Sequence, residues 1–269
     1  MLSVVRYSIK SDCLKPWVKF IWQFEAANAK INHTLLPTDS IDLILNFSGN
    51  ITYKTKFNSF IAPKFHFNGL RDKICNIQQT GKICVLGISF YSFGLYPFIN
   101  RSLEQIQNQI IPLHTFSTTL DKMFQSIIPN NITEDTIALI EKILCSEFRI
   151  EKSYMQKAQL IRKFTEADNT IKIKKFCDEF KINQKTFERM FLRYCGYTPK
   201  KLLRLKRFQS ASNHLVHQKP QNLSEIAYDN DFTDQAHFIK EFKNFTGAAP
   251  TWFLSKKASV KENVKYDYM

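Results

Sequence analysis

Residues 183–199 read NQKTFERMFLRYCGYTP, and 51 residues later, at 234–250, the chain reads DQAHFIKEFKNFTGAAP. Phe187 and Phe238, Phe191 and Phe242, Gly196 and Gly247, and Pro199 and Pro250 fall in step, with Arg189 opposite Lys240. In each copy two phenylalanines stand four apart, the spacing that stacks side chains on one face of a helix. Asn183 suits the N-cap of the first helix, and Asp234 or Thr233 that of the second. Gly196 and Gly247 supply the left-handed residue that ends a helix, and Thr198-Pro199 caps and starts another. Phe187, Met190 and Phe191 form the apolar stripe of the first copy, which leaves Gln184, Lys185, Thr186, Glu188 and Arg189 facing outward.

Each of these helices follows a shorter apolar one. IKKFCDEF carries Ile173, Phe176 and Phe180 with a small Cys177, and LSEIAYDNDF carries a small Ala227. Two helices, a short turn and a small residue where they cross make a helix-turn-helix. The second helix of such a motif offers polar side chains at its N-terminal end, the geometry that reads a major groove. Six residues separate Cys177 from Asn183, and seven separate Ala227 from Asp234.

Two ordered motifs joined by the basic segment KKLLRLKRFQSASNHL resemble the DNA-binding domain of AraC/XylS-type transcriptional regulators, over roughly residues 170–254. The resemblance implies base-facing residues on both second helices: Gln184, Lys185, Glu188 and Arg189 in one, Gln235, Ala236, His237 and Lys240 in the other. Thr186, Arg193, Lys243 and Asn244 complete the candidate DNA-binding set. The chemistry agrees, since Arg can bridge guanine O6 and N7, Gln can pair with adenine, and Glu can accept from cytosine N4. The sequence departs from the family in three places. Lys181 and Asp231 stand where a turn glycine is usual, and Asp tolerates left-handed backbone better than Lys does. Ala249 replaces a Ser or Thr cap, a loss of about 1 kcal/mol to the last helix.

Across 269 residues, 38 Lys+Arg against 24 Asp+Glu leave a net charge of +14, which favours a polyanionic partner. The charge is uneven within the motifs. From Lys181 to Lys219 ten basic residues face one acid, whereas from Pro220 to Glu241 five acids face Lys240 alone. The first motif and the connecting helix are therefore expected to carry most of the phosphate contact and salt dependence.

The first 125 residues read differently. WVKFIWQF, SIDLILNF, ITYKTKF and KICVLGISFY are short apolar or alternating runs separated by turn chemistry such as PTDS, FSGN and NGLRD. Ile41, Leu43, Leu45 and Phe47 alternate with Asp42, Ile44 and Asn46, as in a strand with one buried face. From Thr133 the period becomes helical, with Thr133 as cap, Glu134 and Asp135 in the first turn, and Ile137, Ile140, Ile143 and Leu144 inward. A second helix follows, with Met155, Ala158, Leu160, Ile161 and Phe164 on or near its apolar side, and TEADNT breaks the chain after it. The expected class is α+β: a mostly-β barrel or sandwich with following helices, then an all-α domain of two helix-turn-helix motifs joined by a connecting helix. The division is 1–130 sensor, 131–165 helical dimerisation or linker segment, 166–255 DNA-binding domain and 256–269 tail.

The stretches LPTDSIDLILNFSG and NGLRDK…GKICVLGISFYSFGLYPF are similar to the N-terminal domain of a subset of these regulators. That similarity implies a small-molecule effector held in the β domain and dimerisation through the adjoining helices, of which 133–148 is the candidate. An apolar effector would suit the aromatic runs, with Trp22, Phe24, His66 and Phe90 as candidate contacts. Six scattered cysteines without a CxxC point to reduced thiols rather than a disulfide frame or zinc site. No paired-carboxylate site, Gly-rich phosphate loop or GxSxG elbow is present, so no enzyme activity, metal or cofactor is expected. No run of 18 apolar residues occurs and the opening MLSVVRYSIKSDCLK lacks a signal peptide's apolar segment, so a cytoplasmic protein without membrane contact is expected. The reading is a sequence-specific, effector-responsive transcription regulator of duplex DNA, with RNA polymerase and a second copy of the chain as candidate partners. Its alternatives are a regulator whose N-terminal domain only dimerises or binds a protein, and a DNA-tethered enzyme. The last would need a four-cysteine zinc cluster or a reactive-cysteine motif, and the sequence has neither.

Overall fold

The computed structural model describes residues 3–55, 58–127, 132–217 and 222–255. The β domain comprises β1 (Ser3–Tyr7), β2 (Val18–Leu35), β3 (Ile41–Asn46), β4 (Thr52–Lys54), β5 (Ser59–Ile61), β6 (Phe65–Asn68) and β7 (Cys75–Phe90). The short helix α1 (Tyr96–Ile99), a 3-10 turn (Leu103–Ile106) and β8 (Ile110–Pro112) close it. All pairings are antiparallel, in the order β1-β2-β7-β3-β6-β8, with β4 between β5 and one end of β7. The long pair β2 and β7 runs from Val18 opposite Phe90 to Leu35 opposite Cys75, with register shifts between Val18 and Phe20 and between Ala26 and Ala29. Such bulges sharpen local twist. Side chains from six strands converge on one cavity, so this single sheet curls as the barrel form of the expectation requires.

Curling also explains why β3 does not have the one buried face its alternation suggested. Ile41, Leu43 and Leu45 enter a core shared with the helices, while Ile44 points the opposite way into the apolar lining of the cavity. Gly87 on β7 makes room for this lining. A Cβ there would lie 1.9 Å from Trp22 Cε2, so the indole occupies the space a side chain would need.

Three helices follow the sheet: α2 (Thr118–Gln125), α3 (Glu134–Glu147) and α4 (Lys152–Glu166). Thr133 caps α3 by accepting from Thr136 N, with Glu134 and Asp135 in the favoured first turn. The inner face of α3 is covered within its own chain, and Glu141 accepts from the backbone N–H groups of Lys10 and Ser11. On α4 the buried side is Tyr154, Ala158, Ile161 and Phe164. Met155, expected on that side, is exposed because Tyr154 takes the position one turn before Ala158.

The remaining helices are α5 (Ile173–Glu179), α6 (Gln184–Cys195), α7 (Pro199–His217), α8 (Leu223–Asp229), α9 (Gln235–Thr246) and α10 (Pro250–Ser255). Phe187, Phe191, Phe238 and Phe242 are fully buried, which makes them core rather than stacking platforms for bases. Phe164 of α4 joins the first motif's core, with ring centroids 5.1, 5.3 and 5.4 Å from Phe176, Phe187 and Phe191. A cut at residue 166 therefore separates a core ring from its partners. Among the described residues no helix is long and apolar enough to cross a membrane. The candidate tail 256–269 lies outside the described residues.

Candidate DNA-binding face and sensor cavity

The local chemistry of the two motifs follows the sequence closely. Asn183 Oδ1 accepts from Lys185 N at 3.0 Å and Thr186 N at 3.3 Å, and Asp234 Oδ1 accepts from His237 N at 2.7 Å. Gly196 and Gly247 are left-handed at φ of 72° and 73°. Lys181 and Asp231 also have positive φ, 50° and 59°. The turn before each second helix thus adopts the glycine-type conformation without glycine, a strain of about 1 kcal/mol or more at Lys181.

Gln184, Lys185, Thr186, Arg189, Gln235, Ala236 and Lys240 are exposed at the N-terminal ends and outer faces of α6 and α9. Gln184 Nε2 donates to Glu188 Oε1 at 2.9 Å, so that pair presents a joint surface. Ser224 Oγ donates to Gln235 Oε1 at 2.6 Å, and Thr233 N donates to His237 Nδ1 at 3.3 Å. Lys243 is exposed on the last turns of α9. Arg193 and Asn244 are placed differently. Arg193 Nη2 donates to Tyr96 Oη at 3.4 Å, and the Asn244 carbonyl accepts from Lys73 Nζ at 2.5 Å, so both lie at the joint with the β domain.

The connecting helix α7 spends much of its charge inside the molecule. Arg204 donates through Nε and Nη2 to the Glu241 carboxylate at 2.6 and 2.9 Å, tying α7 to α9. Burial pushes the Glu241 carboxyl up, but Arg204 outweighs it and holds the group below its ordinary value. Lys206 Nζ donates to the carbonyls of Thr165 and Ala167, Arg207 lies over the Phe232 ring, and Lys201 pairs with Asp72 at 2.5 Å. Lys201, Arg204 and Lys206 of this helix are thus engaged within the molecule. Exposed cations remain at Lys181, Lys185 and Arg189 around the first motif and at Lys200 on the first turn of α7.

The joint between the halves is aromatic at its centre. Tyr96, Tyr154 and Tyr194, from α1, α4 and α6, lie with ring centroids 4.6 to 4.8 Å apart, and Tyr154 Oη donates to the Phe93 carbonyl. At its edge the segment Arg71-Asp72-Lys73 reaches three ways: Arg71 lines the cavity, Asp72 meets Lys201 on α7, and Lys73 meets the end of α9. Burial raises the Asp72 carboxyl, but hydrogen bonds from Lys201 and Asn108 hold it below its ordinary value.

The cavity encloses about 890 Å³ of atom-free space, its open mouth included. Of the candidate effector contacts, Trp22 and Phe24 line it. His66 and Phe90 do not. His66 is fully buried behind the wall, where its Nδ1 faces the Pro63 carbonyl at 2.7 Å and its Nε2 faces Tyr53 Oη at 3.0 Å; burial lowers its pKa to about 4. Phe90 points to the other face of the sheet and packs edge-on against Phe98. The polar lining of Arg71, Asn68, Asp42 and Gln79 was not singled out from the sequence, because strand polarity alone does not say which face is concave.

Residues 176–256 match the family model described as a helix-turn-helix domain, and residues 11–112 match one described as a domain of unknown function (DUF6597). None of the curated proteins matches the chain. Among solved structures the chain is similar to ToxT from Vibrio cholerae O395, at 12% identity over 85% of this chain and 97% of that one, TM-score 0.44. An unsaturated-fatty-acid-bound ToxT from strain SCE256 aligns at 13% identity over 86% and 96%, TM-score 0.39. A probable AraC family transcriptional regulator from Rhodopseudomonas palustris CGA009 aligns at 22% identity over 38% of this chain and 92% of that one, TM-score 0.31. The helix-turn-helix match spans both motifs, each formed and capped, so the C-terminal part of the chain is a helix-turn-helix domain.

Proposed function

We propose that this protein is an AraC-type transcription regulator that reads duplex DNA with the exposed ends of α6 and α9, and that a small effector in the β-domain cavity modulates the reading. In α6 the base-reading residues are Gln184, Lys185 and Arg189, with Glu188 held by Gln184; in α9 they are Gln235, Ala236, His237 and Lys240. Thr186 and Lys243 serve the backbone, and Arg193 and Asn244 join them only if the joint loosens. The observation that carries the effector reading is the segment Arg71-Asp72-Lys73, in which consecutive residues touch the cavity, α7 and α9. A ligand that binds differently to two positions of this segment shifts the motifs by the same free energy that DNA returns to the ligand.

One experiment tests both halves: selection of random duplex DNA by the wild type, Arg189→Ala and Asp72→Asn. Arg189→Ala should lose about 1–3 kcal/mol at one or two base pairs and relax preference there. Asp72→Asn should change affinity for all sequences alike and leave base preference intact, because it breaks the Lys201 pair without touching the outer face of α6 or α9. Uniform weakening by Arg189→Ala would make that residue a phosphate contact. Unchanged affinity in Asp72→Asn would remove the link from cavity to DNA.

A further inference from the structure

The polar lining of the cavity is unbalanced. Arg71 is 6% exposed and lines the cavity, yet its Nε and Nη1 have no hydrogen-bond partner. Its backbone is held, since its carbonyl accepts from Thr38 N at 3.2 Å. A guanidinium withdrawn from water without an acceptor is among the most costly groups a fold can carry. The cavity's own acid does not bond to these two nitrogens. Asp42 accepts from Ser89 Oγ, and although the charge of Arg71 favours its ionised form, burial outweighs this and pushes the Asp42 carboxyl up. Asn68 is a second case: 4% exposed, lining the same cavity, with Oδ1 unpartnered. Arg6, His33 and Gln79 also line the cavity; most of the rest is apolar, with Trp22, Phe24, Ile44 and Val85 around these groups.

We propose that the cavity binds an apolar monocarboxylate, the carboxylate received by the Arg71 guanidinium and the hydrocarbon or aromatic body lying against Trp22, Phe24 and the aliphatic wall. The planar fork of Arg matches two carboxylate oxygens, and the match is strongest where water is excluded. Asn68 Oδ1 adds an acceptor for a hydroxyl or amide hydrogen on the ligand. The proposal rests on the effector reading above and deepens it, because the residue that receives the carboxylate is the one joined directly to Asp72 and its Lys201 partner.

The test uses the full chain with two acid–amide pairs, phenylacetate against phenylacetamide and decanoate against decanamide, read by tryptophan fluorescence and thermal shift. At least one acid should bind and raise the melting temperature, with its amide weaker by about 10- to 100-fold. Arg71→Met should abolish that difference, and Arg71→Lys should keep part of it. Without ligand, Arg71→Met should melt at or above the wild-type temperature, since it removes an unpartnered buried cation; a purely structural arginine would give a lower one. Binding of neither acid, equal binding of acid and amide, or a lowered ligand-free melting temperature in Arg71→Met would each overturn the proposal. Equal binding would leave the effector reading standing with a neutral ligand, and the DNA selection above is indifferent to all three results.

Discussion

Gly196 and Gly247 occupy the same place in the two motifs, with φ of 72° and 73°, but not the same surroundings. A Cβ on Gly247 would meet nothing within 4 Å. A Cβ on Gly196 would lie 2.8 Å from the Leu103 carbonyl oxygen and 2.8 Å from Leu70 Cδ1, and Gln107 Nε2 already donates to the Gly196 carbonyl. Alanine at either position incurs the left-handed strain, about 1–2 kcal/mol. Only Gly196→Ala adds an overpacking cost against backbone, about 1–3 kcal/mol more. Urea unfolding should therefore show Gly247→Ala destabilised by about 1–2 kcal/mol and Gly196→Ala by about 2–5 kcal/mol. The extra cost lies across the joint, so the protein can relieve part of it by parting α6 from the Leu103–Ile106 turn. Hydrogen exchange over 103–108 and 194–201 should accelerate in Gly196→Ala and stay at the wild-type rate in Gly247→Ala. Equal destabilisation of the two, or an unchanged exchange rate at the joint in Gly196→Ala, would refute the docking of the β domain on the first motif.

Two further outcomes are expected. A fragment of residues 151–255 should fold and bind DNA, whereas 166–255, which lacks Phe164, should lose about 3–5 kcal/mol of core packing and show a weak or absent thermal transition by circular dichroism. Glu241→Gln should cost about 1–3 kcal/mol at pH 7, between the worth of a surface pair and that of a buried one, because the Arg204 side chain is 35% exposed and that of Glu241 11%. Its pKa is depressed in the folded state, so the pair's contribution is present above the ordinary value of 4.5 and is lost as pH falls through the lower folded value. Urea melts of wild type and variant should converge as the pH falls from 4.5 through that lower folded value.

The C-terminal motifs were legible because their determinants are local. A cap, a four-residue aromatic spacing and a terminal glycine act within one or two turns of chain, and the positive φ at Lys181 and Asp231 could be expected from the turn alone. The β domain was legible as strands but not as surfaces. Ile44 and Leu45 are both buried, so period-two alternation carries no sign of which face is concave, and His66 and Phe90 could not be told from Trp22 and Phe24. Arg71 read as turn chemistry within NGLRD, although its side chain ends in the cavity. The place of Phe164 was missed for a related reason: its helix is continuous to Glu166, and nothing in its period shows that its last inward ring belongs to the next domain's core.

Charge shows the same limit most sharply. Ten basic residues between Lys181 and Lys219 look like one electrostatic footprint, but the fold divides them by purpose. Lys201 and Arg193 reach to the β domain, Arg204 clamps the second motif to α7, and Lys206 is directed to backbone carbonyls at the end of α4. A cation already paired with a carboxylate releases little counterion when phosphate approaches, so such residues add to architecture rather than to salt-dependent affinity. What remains exposed on α6 and its flanks is compact: Lys181, Lys185, Arg189 and Lys200, with Lys240 and Lys243 on α9. The second motif therefore stands closer to the first in positive charge than the linear count implies. Its acids Asp231 and Asp234 serve a left-handed turn and a helix cap. In the proposed reading both motifs thus offer DNA the same elements, a capped helix N-terminus with polar side chains and a few exposed cations, while Lys201, Arg204 and Lys206 of α7 join the two motifs and the β domain.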